Sequence, residues 1–597
     1  MTSQPARESV IAAWLADPTT RSRVSSGEQV DWAGVLATLN KNNVPLISLA
    51  DEPALTGCPL VKLGEFRRIA GQQREAWRSL REEYGKVRAG FLERGIQSIL
   101  FKSVGLAPSF PYTSDNLDTL VRPEHTQACR EILNQLGFVE LRNIEEPQKL
   151  LFRKFEGGVS VSAIHLHGTV GWGVPFVDDA ALWTRARVAP DDPLVLTPGP
   201  EDALLATIAH AFYENKSFKL LDVARIRHCL KQPKLNFPEI ERIAAWRGWE
   251  DGLAFCLLLY SQLEDWLYGE QLVPAEVLER ARRAVKANAW LARQLEQALK
   301  RPEIRFPFRL SFIFGKIVYY RKVVRDPQRS RGRRLDDVIR TLVWGVKQKL
   351  RIRPQRGMIV SLSGIDGSGK TVHARALVSA LQIAEIKAHT VWSRFGSSAE
   401  KTGSGRPGPE QAATSDTATS LDRRRQRLRN PIMRLGWLIC NLAGLGLRYN
   451  WQVRLGRCLG HVVVCDRYTY DAAVEISASL PDSPGLARWA ERLLIGLSPR
   501  PDVAWLLDVP ADVTVARQAD ENLSAAACEE LARHREAYLA MARAYGLKVL
   551  ETRNGQQETT SRIVRETMLK YYDGYRTWLN ALFLSNPNQM NPQEGAR

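Results

Sequence analysis

The spacing of apolar positions in the first third of the chain predicts a small unit with a mixed sheet. Apolar residues between Glu65 and Arg94 recur at near-helical spacing, and a second helix begins at Pro123 and ends at Leu136. Short apolar runs separated by these helices predict strands. The predicted strands are Ile96–Phe101, Leu117–Val121, Phe138–Leu141 and Val159–His167.

The pattern becomes helical from Pro200 to about Leu299. Leu204, Leu205, Ile208 and Phe212 share one helical face, and a similar face recurs from Phe255 to Leu263. We therefore expect a helical bundle packed on the first unit.

Short apolar strands alternate with helices again after residue 357. Such alternation predicts βαβ units and a parallel sheet with helices on both faces. The predicted strands are Met358–Ser363, Ala388–Trp392, Val462–Cys465, Val503–Leu507 and Leu547–Leu550. The fold class is thus α/β, in which a C-terminal parallel sheet follows a smaller α+β domain and its bundle.

Length and composition agree with a soluble, multidomain protein. A chain of 597 residues exceeds what one hydrophobic core supports, and its apolar and charged shares are ordinary. The longest apolar run, Leu435–Leu447, is too short to span a membrane and predicts a buried helix. The N-terminus lacks the pattern of a secretory signal, so we expect a cytoplasmic protein. The scattered cysteines form no CxxC pair, which argues against structural zinc.

The net charge of +18 is concentrated in one segment. Residues 301–356 contain 17 Lys or Arg and 4 Asp or Glu, with an amphipathic helix predicted from Val338 to Leu350. This basic connector either docks the two halves of the chain together or makes a weak contact with nucleic acid or another acidic surface. The expected domains are 1–199 (α+β), 200–300 (bundle), 301–356 (connector), 357–575 (parallel sheet) and 576–597 (tail).

A glycine-rich loop follows the first strand of the C-terminal domain. The sequence from Gly364 to Thr371 reads Gly-Ile-Asp-Gly-Ser-Gly-Lys-Thr and lies between an apolar strand and a helix. This is the order of a phosphate-binding P-loop, in which backbone N–H groups and the N-terminal end of the helix hold a triphosphate. The residues expected to bind ATP are Gly364, Gly367, Ser368, Gly369, Lys370 and Thr371.

Two side chains of this motif have separate expected roles. Lys370 neutralises the β- and γ-phosphates, and the Thr371 hydroxyl binds Mg²⁺. Asp466 ends the strand that begins at Val462, where a carboxylate at the carboxyl edge of a parallel sheet reaches the same metal. ATP and Mg²⁺ are therefore the expected cofactors.

The loop, Asp466-Arg467-Tyr468 and the run from Leu507 to Arg517 together resemble thymidylate kinase over roughly residues 357–572. The resemblance implies that Asp366 faces the sugar of the phosphoryl acceptor and that Arg467 binds its phosphate. It implies a second phosphate-contacting arginine at Arg394, and Arg517 is a third candidate. Guanidinium groups suit this chemistry because two polyanions have to be brought together.

Two segments depart from that family. The lid expected after Arg517 contains no further arginine until Arg533 and Arg535, and an insert at 396–420 is rich in Gly, Ser, Thr and Pro. The insert predicts a mobile loop beside the cleft. The acceptor is accordingly a nucleoside monophosphate or a related phosphorylated metabolite.

The N-terminal half resembles an uncharacterised nucleotidyltransferase-like family. Lys102, the Pro111-Tyr112 turn and the run from Asn116 to Val121 carry the resemblance. Nucleotidyl transfer needs carboxylates that hold two Mg²⁺ ions. Asn116 and Asp118 occupy the paired acidic positions, and Asp115 is an alternative to Asn116 after a one-residue shift.

His165 stands where that family would place a third carboxylate. His165 and His167 alternate along one strand and so share a face, where they either bind a metal or form satisfied core histidines. The candidate residues of this site are Asp115, Asp118 and His165. The domain is either degenerate or active.

These observations leave three hypotheses for the function. The first is an ATP- and Mg²⁺-dependent kinase of phosphorylated small molecules. The second is a kinase that processes nucleic-acid ends, for which the basic connector would hold the backbone. In the third, the N-terminal half senses a nucleotide without catalysis. A homodimer is a further expectation.

Overall fold

A computed structural model describes most of the chain, which divides into two compact units, one over residues 1–153 and 161–351 and the other over residues 154–160 and 352–587. The described residues are 7–24, 30–47, 58–101, 116–141, 149–170, 176–189, 192–214, 217–233, 235–300, 355–392, 426–510, 525–552 and 555–582, with a few single positions between them. Most of the basic connector, the 396–420 insert and the end of the tail lie outside them.

The first unit contains a seven-stranded mixed sheet and eleven α-helices within its described residues. Its strands are β1 (Ile99–Leu100), β2 (Leu117–Leu120), β3 (Val139–Leu141), β4 (Lys149–Glu156), β5 (Val159–His167), β6 (Arg187–Ala189) and β7 (Asp192–Thr197). A separate antiparallel pair joins β8 (Ser217–Phe218) to β9 (Phe306–Pro307).

Some helices of the first unit precede these strands in the sequence, and others lie between them or follow them. They are α1 (Arg7–Ala16), α2 (Trp32–Lys41), α3 (Leu60–Glu93), α4 (Thr126–Gln135), α5 (Asp179–Arg185), α6 (Pro200–Ala209), α7 (Leu220–Leu230), α8 (Phe237–Arg247), α9 (Glu250–Tyr268), α10 (Ala275–Ala287) and α11 (Ala289–Leu299). The prediction of a helical region from residue 200 to 299 matches α6–α11.

The seven strands follow the order β3-β4-β5-β2-β1-β7-β6. Strands β2 and β5 run parallel, with Asp118 opposite His165, whereas β1 runs antiparallel to β2. The predicted strands agree with β1, β2, β3 and β5, but the sequence analysis missed β4 and the hairpin of β6 and β7. These strands lack clean alternation because charged residues interrupt β4 and Pro193 lies within β7.

One large hydrophobic core joins the bundle helices to the beginning of the chain. Ile11 and Leu15 of α1, together with Val35 and Leu39 of α2, are buried in the same cluster as α6–α10. The first two helices therefore form part of the bundle core, although they precede the sheet in sequence.

A buried arginine connects three parts of this bundle. Arg227 on α7 is 1% exposed, and its guanidinium donates hydrogen bonds to Asp17 at 2.6 Å, to Glu264 on α9, and to Glu270 at 2.6 Å. It also lies over the ring of Tyr268, 4.1 Å from the ring centroid. Three carboxylates thus surround one cation where water has little access.

The second unit contains a five-stranded sheet whose strands all run parallel. The strands are β10 (Met358–Ser363), β11 (Ala388–Trp392), β12 (Val462–Asp466), β13 (Val503–Asp508) and β14 (Lys548–Glu551), in the order β11-β12-β10-β13-β14. The prediction of a C-terminal parallel sheet is confirmed, and each predicted strand agrees within one residue at each end.

Helices accompany this sheet along the chain. They are α12 (Lys370–Ile383), α13 (Pro431–Arg448), α14 (Leu455–Cys458), α15 (Thr469–Ser479), α16 (Pro484–Leu497), α17 (Ala525–Tyr545) and α18 (Gln556–Leu582). A π-helical turn at Tyr449–Arg454 joins α13 to α14. The three central strands, β10, β12 and β13, are almost entirely buried, whereas the edge strands β11 and β14 are partly exposed.

Helix α13 corrects one prediction. The apolar run Leu435–Leu447 is helical, but it is not a buried helix, since Leu435, Ile439 and Leu447 are all more than half exposed. Only part of the helix, including Leu438 and Leu445, faces the core. Among the residues that the structure describes, no helix is long and apolar enough to cross a membrane.

Substitution of Arg227 by Met tests the buried ion network. We expect the free energy of unfolding of the first unit to fall by about 3–5 kcal/mol, because buried carboxylates would lose their cation. Denaturant titration followed by tryptophan fluorescence measures this change. The control is Arg242→Met, which removes an exposed ion pair with Glu239 and should leave the free energy of unfolding nearly unchanged, because water screens that pair. Equal losses in the two variants would contradict the assignment.

Candidate functional site

The loop between β10 and α12, which we call the glycine loop (Gly364–Gly369), depends on three left-handed glycines. Gly364, Gly367 and Gly369 have φ values of 150°, 81° and 85°. A Cβ atom on Gly364 would lie 2.6 Å from the carbonyl oxygen of Leu507 on β13. Only glycine fits there, so the loop can turn tightly against the neighbouring strand.

Lys370 begins α12 and turns back into this loop. Its ammonium donates hydrogen bonds to the carbonyl oxygens of Gly364 and Ile365, both at 2.7 Å. The carboxylate of Asp366 lies 3.8 Å away. Burial, followed by the positive charge of Arg467, lowers the pKa of Lys370 below its ordinary value. A cation is therefore held inside the loop, at the N-terminal end of a helix.

Thr371 and Asp466 meet at the carboxyl edge of the sheet. The Thr371 hydroxyl donates to Asp466 Oδ2 at 2.6 Å. The other carboxylate oxygen, Asp466 Oδ1, and the hydroxyl of Ser368 are buried and have no hydrogen-bond partner among the described residues. Burial raises the pKa of Asp466, although the Thr371 hydroxyl opposes this shift. These unpartnered oxygens are suited to a hard cation such as Mg²⁺.

Arg467 directly follows Asp466 and adopts a backbone conformation that is unusual for its type. Its φ of 69° lies in the left-handed region, and its guanidinium donates to Asp366 in the glycine loop. Burial alone would lower the pKa of Arg467, but the carboxylates of Asp366 and Asp471 raise it above its ordinary value. Two residues distant in sequence thus form one charged pair beside the loop.

Asp471 on α15 is a site residue that the sequence analysis did not identify. Its carboxylate accepts hydrogen bonds from the Ser363 hydroxyl at 2.7 Å, from the Tyr468 amide at 2.9 Å and from the Tyr538 hydroxyl at 3.0 Å. The bond to Tyr468 caps the first turn of α15. Asp471 therefore fixes the end of β10 to the segment that carries Arg467.

Asp508 at the end of β13 holds a further arginine. Arg535 on α17 forms a two-pronged contact with it, from Nε at 2.6 Å and from a terminal nitrogen at 2.8 Å. The pairing of Arg535 with Asp508 was not predicted, because 27 residues separate the two in sequence. Arg394 and Arg517, the other two arginines predicted for the site, lie outside the described residues.

A second group of polar side chains lies in the sheet of the first unit. Asp118 on β2 and the two histidines of β5 converge because these strands are neighbours. Asp118 Oδ1 lies 3.2 Å from His165 Nδ1 and 2.9 Å from His167 Nε2. Asn116 Nδ2 lies 2.9 Å from His165 Nδ1. The predicted partner Asp115 lies outside the described residues.

This group, which we call the Asp118 triad, has donor atoms close enough to hold one metal ion. His167 and Asp118 are buried, and the ring of Phe101 packs edge-on against His167 at 4.7 Å. Within the described part of the site a single carboxylate faces two imidazoles, which does not fit a pair of Mg²⁺ ions. Two nitrogens and one oxygen are instead a donor set that first-row transition metals favour.

A family model described as an uncharacterised nucleotidyltransferase matches residues 28–265. The match covers most of the first unit, including the Asp118 triad, and agrees with the resemblance seen in the N-terminal sequence. It indicates a transferase whose chemistry involves nucleotides in general terms. The match does not reach the glycine loop. No curated protein matches the chain.

Substitution of Gly364 by Ala tests the geometry of the glycine loop. The added Cβ would collide with the Leu507 carbonyl, so the loop has to shift or the strands have to separate. We expect the second unit to lose about 1–3 kcal/mol of stability, and any triphosphate affinity to fall at least about ten-fold. Thermal unfolding and calorimetric titration measure the two effects. Gly485→Ala is the control, since a Cβ atom added there would have no heavy atom within 4 Å apart from its chain neighbours and the backbone of its own helix.

Proposed function

We propose that the second unit is an ATP-dependent kinase that transfers the γ-phosphoryl group to a nucleoside monophosphate or a related phosphorylated metabolite. The observation that carries the proposal is the glycine loop with Lys370 buried inside it and Thr371 bonded to Asp466. A loop of this kind between a parallel strand and a helix is the geometry of P-loop enzymes. The resemblance of residues 357–572 to thymidylate kinase supports the same reaction class.

In this proposal the loop residues bind and orient the triphosphate. The left-handed glycines turn backbone N–H groups towards the phosphates, and the N-terminal end of α12 adds a positive dipole. The Lys370 ammonium exchanges its contacts with loop carbonyls for the β- and γ-phosphate oxygens. Mg²⁺, when bound by Thr371 and Asp466, would neutralise phosphate charge.

The arginines act on the acceptor side. Arg467 leaves its pair with Asp366 to bind the phosphate of the acceptor, and Arg535 is held at the same sheet edge by Asp508. An acceptor oxygen then attacks the γ-phosphorus as the bond to the bridging oxygen breaks, so that ADP is released. Asp366, freed from Arg467, is placed to accept a hydrogen bond from the acceptor's sugar.

Incubation of γ-labelled ATP with a panel of acceptors tests the proposed reaction. The panel contains nucleoside monophosphates, phosphorylated sugars and 5′-hydroxyl oligonucleotides. We expect label transfer to a phosphorylated small molecule. Label transfer to oligonucleotides alone would contradict the proposal and favour a kinase that processes nucleic-acid ends.

Removal of the loop cation should abolish turnover. We expect Lys370→Met to lower kcat by at least about a thousand-fold, because the transferring phosphate would lose its main positive partner. The matched control is Asp118→Asn in the first unit, which should leave γ-phosphoryl transfer unchanged. A large loss of kinase activity in Asp118→Asn would contradict the assignment of catalysis to the second unit.

The raised pKa of Asp466 predicts a pH dependence of Mg²⁺ binding. Only the ionised carboxylate binds the metal, and this carboxyl takes up its proton at a higher pH than an ordinary aspartate. Mg²⁺ affinity should therefore fall as the pH is lowered from about 7 to about 5. Titration with Mn²⁺, read by electron paramagnetic resonance, measures the effect. Asp466→Asn should show weak binding that changes little over this range, and an equal fall in both proteins would exclude Asp466 as the cause.

Nucleotidyl transfer by the first unit is a second candidate function, favoured by the family match over residues 28–265. The Asp118 triad would be its site, although Asn116 and His165 stand where carboxylates are expected. The assay uses α-labelled nucleoside triphosphates, with Lys370→Met as background so that the kinase does not contribute. Absence of transfer with Mg²⁺, Mn²⁺ or Zn²⁺ would leave the first unit a nucleotide-binding module.

A further inference from the structure

Helix α13 exposes a face without a single polar side chain. Ten positions between Pro431 and Leu447 are exposed, and none of them carries a charged, hydroxyl or amide group. Ile432 is 82% exposed and Leu447 is 73% exposed. Isolated apolar residues on a surface are ordinary, but a continuous face of this kind marks an interaction site.

The exposed apolar residues continue beyond the helix. Trp451, in the π-helical turn, is 73% exposed, and Leu455 and Leu459 on and after α14 are exposed as well. From Leu435 onward, exposed apolar side chains recur at intervals of about four residues, which keeps them on one side of the helical segment. We call this surface, from Ile432 to Leu459, the apolar face.

Arginines stand at both ends of the apolar face. Arg427 and Arg429 precede α13, and Arg454 and Arg457 follow it, all four exposed. Arg457 pairs with Asp502 at 3.3 Å, and Arg434 within the helix donates to the Ser483 hydroxyl. From Arg423 to Cys465 the sequence contains nine arginines and no Asp or Glu. The segment that forms this face, together with the residues that precede it, therefore has a strong positive charge.

The sign of this charge distinguishes two kinds of partner. A second copy of the chain would have to place the same face against itself. Whether the two helices ran parallel or antiparallel, arginines at the ends of one copy would then meet arginines of the other, with no acidic residue in the segment to separate them. A surface with anionic groups above an apolar layer would bind both the flanking arginines and the exposed apolar side chains.

We propose that the apolar face binds the surface of an anionic lipid bilayer. The helix would lie in the plane of the interface, with Ile439 and Leu447 among the acyl chains and Trp451 at the headgroup level. Arg427, Arg429 and Arg454 would contact the anionic headgroups. The attachment is peripheral and does not depend on the proposed kinase reaction.

Vesicle sedimentation with the full chain tests this proposal. One vesicle preparation contains phosphatidylglycerol and phosphatidylcholine, and the other contains phosphatidylcholine alone. We expect at least about ten-fold stronger binding to the anionic vesicles, and a decrease as the salt is raised from about 0.1 M to about 0.5 M, because salt screens the arginines. Equal binding to both preparations, or binding to neither, would overturn the proposal.

A double substitution, Ile439→Glu with Leu447→Glu, tests the face itself. Both side chains are exposed, so the variant should fold and retain its thermal unfolding temperature, whereas its vesicle binding should fall at least about ten-fold. The matched control is Leu497→Glu on α16, an equally exposed apolar position of the same unit, which should bind vesicles as the parent chain does.

Two outcomes of this comparison count against the proposal. One is an equal loss of vesicle binding in the Leu497→Glu control, which would show that an added negative charge weakens binding wherever it lies on the second unit. The other is a protein that is dimeric in analytical ultracentrifugation and becomes monomeric on the double substitution, without binding vesicles in either form. That result would assign the apolar face to self-association.

Discussion

A lysine ammonium buried at the carboxyl edge of a parallel sheet has to be surrounded by oxygen atoms, and the second unit is organised around this need. Lys370 finds two carbonyl oxygens only because Gly364 permits the chain to pass close against β13. The same turn brings the chain to the first residue of α12. The need to solvate one buried cation thus determines both the path of the glycine loop and the position at which the helix begins.

Much of this edge could be predicted from the sequence, and the reason is that its signals are local. The strand, glycine loop and helix follow one another within 26 residues, and Asp466 directly ends an apolar run. The contact of Asp471 with Tyr468 is local, but its bonds to Ser363 and Tyr538 could not be found in this way, and neither could the pairing of Arg535 with Asp508, because these partners are far apart in sequence and no spacing rule connects them. The exposure of α13 could not be predicted either, since an apolar run has the same sequence pattern whether it packs in the core or lies on the surface.

The polar site of the first unit is assembled by the register of two strands. Strands β2 and β5 bring Asp118, His165 and His167 together through sheet register, which the alternation of the two histidines partly revealed. The sequence alone left open whether these histidines bind a metal or are core histidines whose hydrogen bonds are satisfied within the protein. Their shared contact with one carboxylate oxygen shows that both rings face the same point, so that any change to one of them affects the other two.

The left-handed backbone of Arg467 affects which substitutions at this position would stabilise the protein. A left-handed backbone costs an ordinary side chain about 1–2 kcal/mol, and glycine, asparagine and aspartate adopt it most readily. None of these carries a positive charge. A chain selected for stability alone would therefore tend to replace Arg467, and the glycine loop would lose the guanidinium that pairs with Asp366. At this residue, the backbone conformation that lowers stability also holds a positive charge beside the loop.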